Sequence, residues 1–176
     1  TSVDSFGSDK IASPNELAWM DEVKDMISKN GEDGNNHTAG TLVGGDSISS
    51  TYSYHDLLGK VPGSFKANGM YFENADGTPA MKEVILAGYE KNGIPTDKSI
   101  IQFCGDGWGA AREAYNAQSV DINNVRAWGE GWVVWSNRGN WFIDYSGKKV
   151  RYDKYLDEVV DESGNIVTNE KNRKPE

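Results

Sequence analysis

The chain has 176 residues, 37% hydrophobic and 26% charged, the size and makeup of one globular domain with short extensions. A formal charge of -9 denies it the positive face that nucleic acid requires, and no run approaches the roughly 18 consecutive apolar residues of a membrane span. A single cysteine, Cys104, allows no internal disulfide, and with only His37 and His55 besides it the chain offers no metal-ligand set, so neither metal nor cofactor is expected.

Residues 1–12 are rich in Ser and Asp without periodicity and read as a flexible lead-in. Ser13-Pro14-Asn15-Glu16 has the makeup of a helix start, with a capping hydroxyl, a proline at the first helical position and a carboxylate three residues after the cap. Leu17, Met20, Val23 and Ile27 continue it as an apolar stripe. Gly31–Gly40 is a polar loop, Thr41-Leu42-Val43 a short buried strand, and Ser47–Gly59 irregular. Lys60-Val61-Pro62-Gly63-Ser64 is a turn, because proline fixes its own φ and keeps the residue before it extended. The apolar positions of Met81–Asn92 predict a helix ended by Gly93 and Pro95.

A strand over 99–103, a loop over 104–109 and a helix over 110–118 come next, then a strand at Asn124–Trp128 and a Gly129-Glu130-Gly131 turn into Trp132–Ser136. Strands alternating with helices through short loops predict an α/β fold, a three-layer sandwich whose central, mostly parallel sheet carries helices on both faces. Asn140–Tyr145 adds a further strand candidate. The domain is expected over 13–150, with 151–176 as a polar C-terminal extension.

Cys104 stands at the end of an apolar strand and at the mouth of a glycine-rich loop. In open α/β sheets, ligands bind outside the carboxyl ends of the strands. The glycines at 105, 107 and 109 let successive amides turn inward, and the following helix directs its positive end at the sulfur. Converging amides stabilise an anion, and such surroundings favour thiolate, the nucleophilic form. The plainer reading is a free cysteine that only fills space.

The segment 99–136 resembles the catalytic half of rhodanese-like sulfurtransferases. Cys104-Gly105-Asp106-Gly107-Trp108-Gly109-Ala110 is similar to that family's active-site loop, and Asn124-Val125-Arg126-Ala127-Trp128-Gly129-Glu130-Gly131-Trp132 to its second landmark. Upstream, Gly59–Ser64 resembles the family's Pro-Gly-Ala turn, with Lys60 where a histidine commonly stands. Leu42–Ser47 lacks the arginine of the family's Asp-x-Arg.

The resemblance implies a rhodanese-like fold and transfer of a sulfane sulfur between a small-molecule donor and a small-molecule acceptor, through a persulfide on Cys104. Gly105, Asp106, Gly107, Trp108, Gly109, Ala110 and Arg112 then line the substrate. It also implies sulfur rather than phosphoryl transfer, because the related phosphatases use a longer loop. Tandem members of the family carry a second such domain, and a chain beginning at Thr1 without Met leaves room for one upstream. Abundant Asn, Gly, Ser, Tyr and Trp lean towards export.

Asp106 and Gly109 depart from relatives that use thiosulfate well. A carboxylate beside a bound dianion costs about 1 kcal/mol or more per close charge pair. Arg112 either restores positive field or pairs with Glu113 or Glu83, and Trp108 either shapes the pocket or packs in the core. Two other functions use the same residues. One is a catalytically idle binding module with a platform of Trp128, Trp132, Trp135 and Trp141, and the other a hydrolase pairing Cys104 with His55 or His37.

Overall fold

The computed structural model describes residues 16–44, 56–66 and 72–167. The expected lead-in, the Ser13-Pro14 helix start and most of Ser47–Gly59 lie outside them. Five strands form one parallel sheet: β1 (Leu17–Ala18), β2 (Thr41–Gly44), β3 (Ser64–Lys66), β4 (Ile100–Phe103) and β5 (Val125–Trp128). Their spatial order is β1-β5-β4-β2-β3. Helices α1 (Met20–Asn30) and α4 (Gly131–Asn137) cover one face, and α2 (Lys82–Lys91) and α3 (Trp108–Gln118) the other. The chain is an α/β three-layer sandwich, as its alternating pattern predicted.

Side-chain alternation along β4 divides the core between the faces. Ile101 and Phe103 join Val23, Met26, Trp128 and Trp132 beneath α1 and α4. Ile100 joins Ile85, Tyr89, Ala110, Ala114 and Val125 beneath α2 and α3. Gln102 faces the second group, fully buried, and donates from Nε2 to the Tyr89 hydroxyl at 3.0 Å, a polar tie between the central strand and α2.

Two boundaries differ from expectation. Leu17 and Ala18 are not helical: they pair in parallel with Ala127 and Trp128, and burial at the sheet edge outweighs their place in the helical stripe. The helix therefore starts at Met20, and the capping expected of Glu16 falls to Glu22, whose side chain accepts the Trp19 N–H at 3.2 Å. Pro62 and Gly63 form the expected turn, and Ser64–Lys66 beyond it is a strand, paired to Leu42–Gly44.

A second, antiparallel sheet follows α4, built from β6 (Phe142–Ile143), β7 (Lys149–Asp153) and β8 (Glu158–Asp161). Phe142, Val150 and Val159 are fully buried in the α1/α4 half of the core. Phe142 meets Trp132 edge to face, centroids 5.2 Å apart. Among the described residues no helix is long and apolar enough to cross a membrane.

Because the small sheet shares this core, it unfolds with the large one. Phe142→Ala should lower stability by about 3–5 kcal/mol in a single transition, followed by tryptophan fluorescence in urea. A loss under about 1 kcal/mol, or a separate early transition, would show that the hairpin is peripheral.

Candidate active site

In a parallel sheet the carboxyl ends of β1, β2, β4 and β5 lie at one edge, and Cys104 follows β4 there. Its thiol is partly exposed and unpaired, packed on one side against the α2/α3 core. The Gly107 N–H donates to Cys104 Sγ at 3.2 Å. Gly107 holds a left-handed φ of 93° and precedes α3, and its carbonyl accepts the Ala111 N–H at 2.8 Å. The helix thus begins at Trp108, two residues earlier than expected, because glycine in this conformation closes the turn sooner. The loop proper is 104–107, with Trp108 and Gly109 in the first helical turn. A Cβ on Gly109 would lie 3.6 Å from Cys104 Sγ, so α3 passes directly beside the sulfur.

The loop is fastened from the other side by the turn after β5. Trp132 N–H donates to the Cys104 carbonyl at 2.9 Å and Val133 N–H to the Gly105 carbonyl at 2.9 Å. Such contact needs bare backbone on both sides. A Cβ on Gly131 would lie 2.5 Å from the Cys104 carbonyl oxygen, and one on Gly107 2.4 Å from that of Gly129. Glu130 joins the turn to its surroundings, accepting from Met20 N–H at 3.2 Å and Trp128 Nε1–H at 3.3 Å and pairing with Arg138 at 2.9 Å.

The remaining sequence-predicted residues fall around this frame. Gly105 and Ala110 are buried in it. Asp106 is exposed, with Oδ1 at 3.9 Å from the sulfur and 3.5 Å from the Trp108 amide. Trp108 is 83% exposed, which removes the core-packing alternative. Arg112 pairs with Glu73 at 3.0 Å, not with Glu113 or Glu83. Glu73 also accepts from the buried Asn116 at 2.9 Å, and sequence spacing gave no sign of this partner from forty residues upstream.

Trp128, Trp132 and Trp135 are core residues and form no platform; Trp141 lies beside Lys149 and Arg151. His37 bonds to Thr41 at the amino end of β2, so a whole strand length separates it from the edge that carries Cys104, and it is no partner for the thiol. His55 lies outside the described residues.

Glu113 stands one helical turn beyond Gly109. Burial pushes its carboxyl up to about 7, with Glu73 adding to the rise and Arg112 opposing it.

No protein-family model matches the chain, and no curated protein does. Solved structures do. A Tyr-to-Phe variant of EanB, with a cysteine persulfide in a tetrahedral intermediate state with ergothioneine, is 26% identical; the match covers 78% of this chain and 34% of that one, with TM-score 0.59. A Thr-to-Ala variant of EanB in complex with hercynine is also 26% identical, covering 81% and 34%, with TM-score 0.64. The anaerobic ergothioneine biosynthesis enzyme from Chlorobium limicola, in complex with its natural substrate trimethyl histidine, is 25% identical, covering 78% and 33%, with TM-score 0.60. The chain spans about a third of the length of these structures.

Two outcomes follow from the site. Gly131→Ala should destabilise the protein by roughly 1–3 kcal/mol and slow iodoacetamide alkylation of Cys104 several-fold, whereas Gly129→Ala, whose Cβ would meet nothing within 4 Å, changes neither. Unchanged alkylation in Gly131→Ala would contradict the clamp. Raised above its ordinary 4.5, Glu113 contributes stability that is complete below that value and lost as pH rises through about 7. Urea unfolding above neutral pH should therefore find Glu113→Gln more stable than the parent by roughly 1–3 kcal/mol, with the difference vanishing below the ordinary value. A pH-independent difference would refute the assignment.

Proposed function

We propose that the chain is a rhodanese-like sulfurtransferase domain that carries a sulfane sulfur on Cys104. One observation carries this reading: the Gly107 N–H directed at a partly exposed sulfur at 3.2 Å, in a loop at the start of α3. The cysteine persulfide in the similar EanB structure, on a chain more than twice as long, supports the same chemistry.

In the first half-reaction the Cys104 thiolate attacks the outer sulfur of a persulfidic donor. A new S–S bond forms on Cys104, the donor's S–S bond breaks, and the donor leaves as its thiolate. The amides at the start of α3 then face a terminal persulfide anion, as the N-terminal amides of a helix face a phosphate. In the second half-reaction a nucleophilic acceptor attacks that outer sulfur, the S–S bond breaks towards Cys104, and the thiolate is restored. Asp106 beside the sulfur disfavours a dianionic donor such as thiosulfate, and Arg112, held by Glu73, does little to offset it. Gly105, Asp106, Gly107, Trp108, Gly109 and Ala110 frame the exchanged group.

Intact mass spectrometry after incubation with cysteine hydropersulfide, 3-mercaptopyruvate or thiosulfate tests the reading. One added sulfur is expected from at least the first, removable by cyanide and missing in Cys104→Ser. A Cys104→Ser protein that still gains the mass, or a parent protein that never does, would end it.

A further inference from the structure

One line of α3 runs from the Cys104 sulfur along the helix. A Cβ at Gly109 would lie 3.6 Å from Sγ, and apart from the backbone of α3 itself, only Cys104 atoms among the described residues come within 4 Å of that point. Cys104, Gly109 and Glu113 are all partly exposed. Residues four apart on a helix share a face, with about 5–6 Å between their Cβ atoms, and helical side chains lean towards the turn before their own. Glu113 therefore shares the face that Gly109 turns to the sulfur, and helical geometry directs its side chain towards that end of α3.

The groups around Glu113 are committed to one another. Arg112 pairs with Glu73 Oε1 at 3.0 Å, and the buried Asn116 donates to the same oxygen at 2.9 Å. From α2, Lys82 donates to the Asp121 carbonyl at 2.9 Å, past the far end of α3. Glu113 itself has no hydrogen-bond or ion-pair partner among the described residues. Packing alone does not account for a half-buried carboxyl without a partner. Burial pushes it up to about 7, with Arg112 opposing the rise and Glu73 adding to it, and a group so placed exchanges protons readily near neutral pH.

We propose that Glu113 is the general base of the second half-reaction, taking the proton that a protonated acceptor such as a thiol must lose. The inference rests on the Cys104 sulfur-transfer reading, which supplies the persulfide. An ordinary thiol, ionising near about 8.5, is still largely protonated at neutral pH and needs such a base. As the acceptor sulfur attacks the outer sulfur, its S–H proton passes to the Glu113 carboxylate. A new S–S bond forms on the acceptor, the S–S bond to Cys104 breaks, and its electron pair restores the Cys104 thiolate. The product leaves as a persulfide anion, and Glu113 returns the proton to water. His37, a whole strand length from this edge of the sheet, is not placed for the task.

Single-turnover discharge of the pre-formed persulfide tests the proposal, with two small thiols that differ in acidity. 2-Mercaptoethanol is largely protonated in mildly basic solution, whereas 2,2,2-trifluoroethanethiol is largely ionised there and has little proton left to give. Rates are normalised to each protein's own iodoacetamide rate at Cys104, so that a displaced sulfur does not count. At about pH 8, Glu113→Gln should discharge to 2-mercaptoethanol about a hundredfold more slowly than the parent, the low end of general-base catalysis, and to trifluoroethanethiol within a few-fold of it. The parent's pH profile with 2-mercaptoethanol should carry a step at about 7 that the variant lacks. The variant keeps the fold, because it removes a charge that burial disfavours.

Equal rates for the two proteins with 2-mercaptoethanol overturn the proposal. So does an equal loss with both thiols, which would mark Glu113 as structural. Either result in a protein that carries the persulfide leaves the transfer reading standing, and a protein that never carries it ends both.

Discussion

Two amides of α4, donating to the carbonyls of Cys104 and Gly105, lock the end of β4 to the turn after β5. The contact exists only because Gly107 and Gly131 carry no side chain where the two backbones meet. Everything at the site follows from it. With its carbonyl held, the Cys104 backbone is fixed at the strand end; with Gly107 against Gly129, the Gly107 N–H points at the sulfur and α3 starts within a turn of it. The Cys104 sulfur is thus placed by backbone on strand and helix ends.

That lock rests on the two halves of the core. Beneath α1 and α4, Trp128 and Trp132 fill the layer and extend it to Phe142 and the antiparallel sheet, so the turn that holds Cys104 sits on aromatic packing from three elements. Beneath α2 and α3 the packing mixes aliphatic residues with the Phe72–Tyr89 ring pair, and Ala110, Ala114 and Ala117 let α3 lie close to β4 and β5. A polar tie in that layer joins Gln102, two residues before Cys104, to Tyr89 on α2. It fixes the strand and helix at the cost of a demanding hydrogen-bond geometry.

Much of this was legible in the residues. Apolar runs bounded by glycine announced β2, β4 and β5, and the Cys-Gly-Asp-Gly-Trp-Gly-Ala run announced a strand, loop and helix around Cys104. What escaped was set by partners distant in sequence. Leu17-Ala18 reads as helix because its strand partner lies more than a hundred residues away. Arg112 reads as free or locally paired because Glu73 is brought to it only by the fold. Ser64–Lys66 is too short for a period to show, and the partner of Gln102, Tyr89, is brought to it only by the fold. Gly131 read as an ordinary turn glycine, and its role became visible only with the Cys104 carbonyl against it.

The central claim is that the Gly107 amide is bonded to the Cys104 sulfur in solution. Its most direct test is the ¹H–¹⁵N resonance of Gly107 followed across a pH titration beside the ultraviolet absorbance of the thiolate. The account predicts a large shift of that resonance with the same midpoint as the absorbance change, and no such titration in Cys104→Ser. A Gly107 signal that stays still while the thiol ionises would contradict it.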